Sequence, residues 1–486
     1  IVTEARTLDG LGHTARTTYA YANGCWDHAG QTCHNPNSAG ESKTLAGYGQ
    51  VTVDQYDYDS ARLSRQMHLY HLDYQRLGRA YNVRTYAADG STLMAQNDTA
   101  WGTRNAYRGA LTYAGQTLQT TYAAGLPTTV RTDYTYNSYG NVVAEYQYGA
   151  EERVLNGGFE AGQSGWFYYW EPTLPASVVE AVGFAGYRSL KLENASTSGG
   201  AFQDIEGLVS GQTYTVRVWV KGVNIGTARF RLWLHDTTGA NTIITDMTPG
   251  SDWQPVTLTY TANATGKVRV HLHLLAGTGT IYVDAVSVSR TADVGDERSV
   301  HRSFHNLDGS NNRWLLGLQW SEDVWQGISR PDAAVNTVWS KTRWFYDTYA
   351  TTLPQNTDVI TAGRVTRVGQ GYLAPMAAGV PVGPFVYTTY TYDNWGNVIS
   401  ETDPNGHTKT TTYHPTYHQF PVRVCADPGG LNLCTDTSYY GVNPDSTVSG
   451  GSGLFGQVQC VKDPNEARTA YSYDTYGRLV KVRMPD

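Results

Sequence analysis

The chain has 486 residues, with 51 Gly, 36 Tyr, only 16% charged residues and a formal net charge of −7. That balance lacks the basic footprint of a nucleic-acid binder, and no apolar run is long enough to span a membrane as a helix. Thr, Val and Tyr replace helix-forming runs and favour pleated surfaces, so the expectation is an all-β chain longer than one ordinary domain.

The chain opens on Ile1-Val2-Thr3-Glu4, which is polar and already strand-like. We expect a fragment whose export signal lies upstream. Cys25 and Cys33 flank a turn-rich stretch, as do Cys425 and Cys434 further on. Each pair fits a short loop closed by a disulfide, contributing roughly 2–3 kcal/mol by loop-closure entropy. Cys460 is left over. Disulfides favour a secreted or cell-surface protein. The alternative is five unrelated thiols, or a metal site using His28 or His34, but no Cys-x-x-Cys spacing occurs.

A pattern then appears at Tyr134-Thr-Tyr136-Asn137-Ser-Tyr139-Gly140-Asn141-Val142. It returns at Tyr390-Thr-Tyr392-Asp393-Asn-Trp395-Gly396-Asn397-Val398 and at Tyr471-Ser-Tyr473-Asp474-Thr-Tyr476-Gly477-Arg478-Leu479. Tyr-x-Tyr puts two rings on one face of a strand. The Asp or Asn opens a turn, and Gly supplies the positive φ that closes it. Asp403-Pro404-Asn405-Gly406 has type I turn chemistry. Each unit is a strand–turn–strand that must stack on its neighbours to bury a face.

The Tyr-Asp-x-aromatic-Gly-Asn motif resembles the YD repeat of RHS proteins, teneurins and the B/C components of insecticidal toxin complexes. Gly47-Tyr48-Gly49-Gln50-Val51, Leu77-Gly78-Arg79, Tyr86 to Leu93 and Phe420-Pro421-Val422-Arg423-Val424 resemble the same family. The resemblance covers residues 1–149 and 294–486. It implies an antiparallel β-sheet coiled into a shell, which in toxin members encloses a C-terminal cargo. Neither a toxin tail nor the family's self-cleaving aspartate motif is recognisable in this sequence.

Between the two stretches the pattern breaks. Residues 151–291 open with Leu155-Asn156-Gly157-Gly158-Phe159-Glu160 and close with Ile281-Tyr282-Val283-Asp284-Ala285-Val286. Together with Gly186-Tyr187-Arg188, Gly211-Gln212-Thr213-Tyr214 and Trp253, these motifs resemble bacterial carbohydrate-binding modules of the jelly-roll type. The resemblance implies an inserted antiparallel β-sandwich. It also implies a structural Ca²⁺ held by Glu160 and Asp284, whose oxygens suit a hard cation. The plain alternative is two surface carboxylates, or a carboxylate capping a turn.

Alternation gives three strands of this stretch an aliphatic face: Tyr214, Val216, Val218 and Val220; Ala228, Phe230, Leu232 and Leu234; Val268, Val270, Leu272 and Leu274. The opposite positions carry Trp219 and Trp233 among Arg217, Arg231, His271 and His273. Such a face suits a polysaccharide, with indoles as platforms and cations favouring an acidic polymer. An interface with the rest of the same polypeptide would concentrate the same residue types.

Gly451-Ser452-Gly453-Leu454-Phe455-Gly456 has dinucleotide spacing but leads into a strand, so it reads as a linker. No nucleophile elbow or zinc-protease motif occurs. The expectation is a non-catalytic, secreted or cell-surface β-shell segment displaying a glycan-binding domain. The alternatives are a shell segment of a toxin-delivery protein, or a glycoside-active enzyme, which would need paired carboxylates in a cleft.

Overall fold

The computed structural model describes residues 1–8, 14–25, 27–29, 32–34, 47–58, 60–73, 75–106, 109–122, 128–148, 152–169, 176–180, 182–193, 198–236, 242–291, 297–308, 314–328, 338–347, 360–371, 385–426 and 430–485. Among them the regular structure is antiparallel strand, with no α-helix and so no helix able to cross a membrane. The chain forms two compact units, Ile1–Arg302 with Val324–Val338, and Ser303–Asp323 with Trp339–Asp486.

In the first unit each ladder strand pairs with the next one along the chain. The run passes from Gly47–Tyr56 through Arg62–Tyr70, Ala80–Tyr86, Leu93–Ala106, Gly109–Thr121 and Thr128–Tyr136 to Val142–Tyr148. Tyr146 then pairs with Ser299 and Gln147 with Arg298, so the ladder resumes beside the strand where it stopped. This is the close approach of ends that lets a whole domain enter at a loop.

The stretch between is a sandwich of two five-stranded sheets. One, the Trp233 sheet, runs Phe167–Tyr169, Gly199–Ile205, Val268–Leu275, Arg229–His235, Ile243–Met247. The other, the Trp219 sheet, runs Ala176–Glu180, Arg188–Glu193, Thr280–Arg290, Thr213–Val223, Gln254–Thr261. The aliphatic faces expected from alternation meet between them. Tyr214, Val216, Val218, Val220, Phe230, Leu232, Leu234, Val268, Val270, Leu272 and Leu274 are all buried in one core.

The second unit is a run of hairpins from Val365–Gly371 to Leu479–Arg483. The turn at Asp393 shows why the repeat keeps its residues. Asp393 N donates to Asn397 O (3.0 Å) and Gly396 N to Asp393 O (3.2 Å). Asp393 Oδ1 meanwhile accepts Trp395 N and Asn397 N, both at 2.9 Å. The same wiring recurs at Asp403, Asp463 and Asp474, and at Asn137 in the first unit. Gly396 sits at φ 92°, a conformation L side chains resist.

The tyrosine before the turn has its own task. Register slips by one residue just before Tyr392, as it does before Tyr136, Tyr439 and Tyr473. The bulge re-aims the ring. The hydroxyls of Tyr392, Tyr439 and Tyr136 donate to the carbonyls of Val365, Pro421 and Ala114. Phe would lose a hydrogen bond worth about 1 kcal/mol.

Cys425 and Cys434 are cross-strand partners joined by a disulfide, and Cys460 is free and buried. Cys25 is buried and disulfide-bonded. The side chain of Cys33, its expected partner, lies outside the described residues. The glycine-rich 451–456 segment is more than a linker: a Cβ on Gly453 would strike the Tyr440 ring.

Candidate functional site

The sandwich has two outer faces, and the six candidate residues divide between them. Arg217 and Trp219 stand on Thr213–Val223, in the Trp219 sheet. Arg231 and Trp233 stand on Arg229–His235, with His271 and His273 on Val268–Leu275, in the Trp233 sheet. The expectation of a single face is therefore corrected. Alternation sorted inward from outward on every strand, but it carries no information about which sheet a strand joins.

The Trp219 face is docked. Trp219 stacks on Phe184 at 3.8 Å and 14° between planes. With Trp253 it packs against a buried cluster of Ala144, Tyr146, Tyr148, Phe184, Ala185, Ala285 and Ile328. Tyr146 and Tyr148 belong to the ladder strand Val142–Tyr148. Arg217 points a guanidinium nitrogen to within 3.7 Å of Glu297. A Cβ on ladder residue Gly115 would lie 2.6 Å from Ala161 N, so backbone meets backbone here without side chains between.

A buried ionic cluster sits at this junction. Arg131 comes from the ladder strand Thr128–Tyr136 and is fully buried. Its Nε donates to Asp133 Oδ1 (2.9 Å), its Nη2 to Asp133 Oδ2, and its Nη1 to the carbonyl of Val286 in the sandwich. Nη1 also lies 3.6 Å from Glu152 Oε1, and the guanidinium covers the Tyr148 ring at 3.7 Å. Glu152 in turn accepts the amides of Arg153, Val154 and Val288. Gln116 bridges the two sides, donating to Asp133 Oδ1 (2.8 Å) and accepting Asn156 N. Arg131, Asp133, Glu152 and Gln116 all have polar partners, as a buried network requires, while the buried Tyr148 hydroxyl has no hydrogen-bond partner among the described residues.

Glu160 and Asp284 are buried at the same end. Glu160 Oε1 accepts the amides of Tyr187 (2.6 Å) and Arg188 (2.8 Å). Asp284 Oδ2 accepts those of Phe184 (2.6 Å) and Ala185 (3.0 Å), and Oδ1 that of Ala285. Burial pushes the Glu160 carboxyl up to about 8 despite those donors. Burial, with the Glu160 charge next, holds the Asp284 carboxyl well above the carboxylate range. Two buried carboxyls with raised pKa values and oxygen-only surroundings fit a hard cation in charge and donor type. Among the described residues no third Asp, Glu, His or Cys joins them, so further ligands would be carbonyls or water.

The Trp233 face carries a row that crosses the whole sheet. Register places Phe167 beside Phe202, Phe202 beside His271, His271 beside Trp233, and Trp233 beside Ile244. Trp233 stacks on His271 at 4.2 Å and 14°, and Phe167 on Phe202 at 5.4 Å. Phe167 is 62% and Ile244 45% exposed at the ends of the row. Trp233 Nε1 has no hydrogen-bond partner among the described residues. Two ion pairs flank the row. Arg231 clasps Asp246 with both oxygens (2.7 and 2.8 Å), and Arg269 clasps Asp204 likewise (2.5 and 2.7 Å). His271 and His273 are mostly buried, and burial lowers both imidazoles' pKa values. The row's outer members Phe167, Phe202 and Ile244 escaped the sequence reading because each lies on a strand with no Trp or Arg–His alternation to mark it.

Residues 151–278 match the model of a carbohydrate-binding domain, and residues 386–408 match that of the RHS repeat. No curated protein matches the chain. Among solved structures, TmCBM61 in complex with β-1,4-galactotriose is 19% identical, with 28% of this chain and 98% of that one covered and a TM-score of 0.25. A family 16 carbohydrate-binding module is 21% identical, covering 28% and 99%, with a TM-score of 0.23. The Clostridium thermocellum xylanase 10B modules complexed with xylohexaose are 24% identical, covering 29% of each chain, with a TM-score of 0.25. The chain thus carries a carbohydrate-binding domain and an RHS repeat.

Proposed function

We propose that this chain is a non-catalytic ladder segment of an RHS-type protein, secreted or at the cell surface, whose inserted domain binds a polysaccharide across the Trp233 sheet. The row Phe167–Phe202–His271–Trp233–Ile244 carries the reading. It offers one apolar or aromatic contact per strand, with exposed ends. Pyranose faces stack on such rings while hydroxyls take the polar groups. At the centre of the face neither the Arg231 nor the Arg269 fork is available to a uronate, because Asp246 and Asp204 fill them, while Arg229 stands exposed at the far end of its strand. At neutral pH the face therefore suits an uncharged polymer better than the acidic one expected from its arginines.

The test is a polysaccharide array probed with the whole chain. Neutral polymers should bind, and Trp233→Ala should remove most of the signal. Equal signal from the variant would sink the reading.

We further propose that Glu160 and Asp284 hold one structural Ca²⁺. The ion would supply the positive charge that these buried carboxyls lack. Without it, the folded chain keeps on Glu160 a proton that the unfolded chain releases near 4.5. Stability then falls as pH rises from about 4.5 towards about 8. With chelator the first unit should show that slope and a lowered Tm. Added Ca²⁺ should flatten the slope and restore the Tm. Identical melting curves with and without chelator would rule the ion out.

A further inference from the structure

Arg231 and Arg269 of the Trp233 face are sealed by Asp246 and Asp204, but a second charge source stands between them. His235 Nε2 and His271 Nε2 lie 2.9 Å apart. His235 Nδ1 meets the carbonyl of Asp236, an atom that only accepts, so Nδ1 carries a hydrogen. In the neutral pair His235 Nε2 is therefore bare, and His271 Nε2–H donates to it. His271 is the ring on which Trp233 stacks, and His235 lies 5.2 Å from the same indole.

We infer that the His235–His271 pair is a one-proton charge switch that lets this face hold a uronate-bearing polysaccharide in mild acid, an inference that rests on the glycan-binding reading above. One proton from solvent converts His235 to imidazolium. The hydrogen of His271 Nε2 passes across the 2.9 Å contact to His235 Nε2, which then donates back to His271 Nε2, and the incoming proton ends on His271 Nδ1. The contact survives with the donor reversed, and the pair carries one positive charge, with His271 in the row and His235 beside it. A second proton is excluded because it would set N–H against N–H. Burial first, and the facing His235 next, push His271 down to about 3.

The other charges around the pair are matched. From the Gly199–Ile205 strand comes Asp204, bound to Arg269 of the pair's own Val268–Leu275 strand. Arg231 is bound to Asp246 of Ile243–Met247. Lys267 meets Glu206, and the Asp236 carboxylate accepts from Asn263. His273 is mostly buried, its pKa lowered by burial and by Arg231. Arg229 stands exposed at the far end of its strand, at the position paired with Leu275. The proton on the pair is thus the charge that changes at the centre of the row.

The whole chain is run on the polysaccharide array at about pH 8 and about pH 5, the span over which an imidazole changes charge. Signal from uronic-acid polymers should rise about tenfold on acidification, a ratio one added ionic contact supplies. The His235→Gln variant should lose that rise while keeping the wild-type melting temperature. Histidine-labelled NMR on the wild-type chain gives a reading without ligand: the pair should take up one proton, not two or none, across that span. A flat uronate signal, a rise that persists in His235→Gln, or a pair that gains two protons or none overturns the switch, while neutral binding leaves the glycan reading standing. An array blank at both pH values removes the glycan reading and the switch together.

Discussion

Arg131→Ala is expected to destabilise the first unit by about 3–5 kcal/mol, the range for breaking a buried ion pair from one side. The loss is large because of what remains. Asp133 and Glu152 are as buried as Arg131, and both would face the junction without their cation. The carbonyl of Val286 would lose a charged donor, and Tyr148 the guanidinium on its ring. Replacing Arg131 and Asp133 together by apolar residues of similar volume should recover part of the loss, since no lone charge of that pair is then left. Denaturant unfolding of the whole chain reads both variants. A cost below about 1 kcal/mol for Arg131→Ala, as for a surface pair, would mean that water reaches the cluster and the sandwich is not seated on the ladder.

The two tryptophans are expected to part company. Trp219→Ala should cost about 3 kcal/mol, the lower end for a large aromatic in a core, because the ring is only partly buried. Its loss opens a hole against Phe184 and the Tyr146–Tyr148 strand, with no direct effect on the opposite sheet. Trp233→Ala should do the reverse, leaving the melting temperature nearly unchanged and removing polysaccharide binding. Equal melting shifts in the two variants would contradict the assignment of one face to docking and the other to recognition.

Much of this architecture is visible in the residues. Period-two alternation in Tyr214–Val220, Phe230–Leu234 and Val268–Leu274 marks side chains that are all buried in the sandwich core. The Tyr-Asp pairs mark turns that share one hydrogen-bond pattern with the Asp-Pro turns, among them Asp463-Pro-Asn-Glu466, where Glu466 takes φ 66° in the glycine slot. The limits are equally physical. Alternation cannot tell Trp219 from Trp233, because sheet membership is decided by pairing with strands far along the chain. Arg131 sits with Asp133 in Thr128–Tyr136, where two opposite charges on one face of a ladder strand read as a solvent-facing pair. Its burial depends on Val286, 155 residues away. Nor do Arg231 and Arg269 reveal from sequence that Asp246 and Asp204 already occupy them.

The point at which the sandwich enters imposes a timetable on synthesis. Gln147 waits for Arg298, 151 residues later, to complete its strand pairing. At typical translation rates that is an interval of roughly 8–30 s. Throughout it, Val142–Tyr148 presents an unpaired edge and the rings of Tyr146 and Tyr148 to the surroundings, an invitation to aberrant pairing. The inserted domain emerges within that same interval and supplies Phe184, Ala185 and Ala285 to cover those rings. A nascent chain whose sandwich folds slowly would therefore fail first at the ladder, one domain away from the defect.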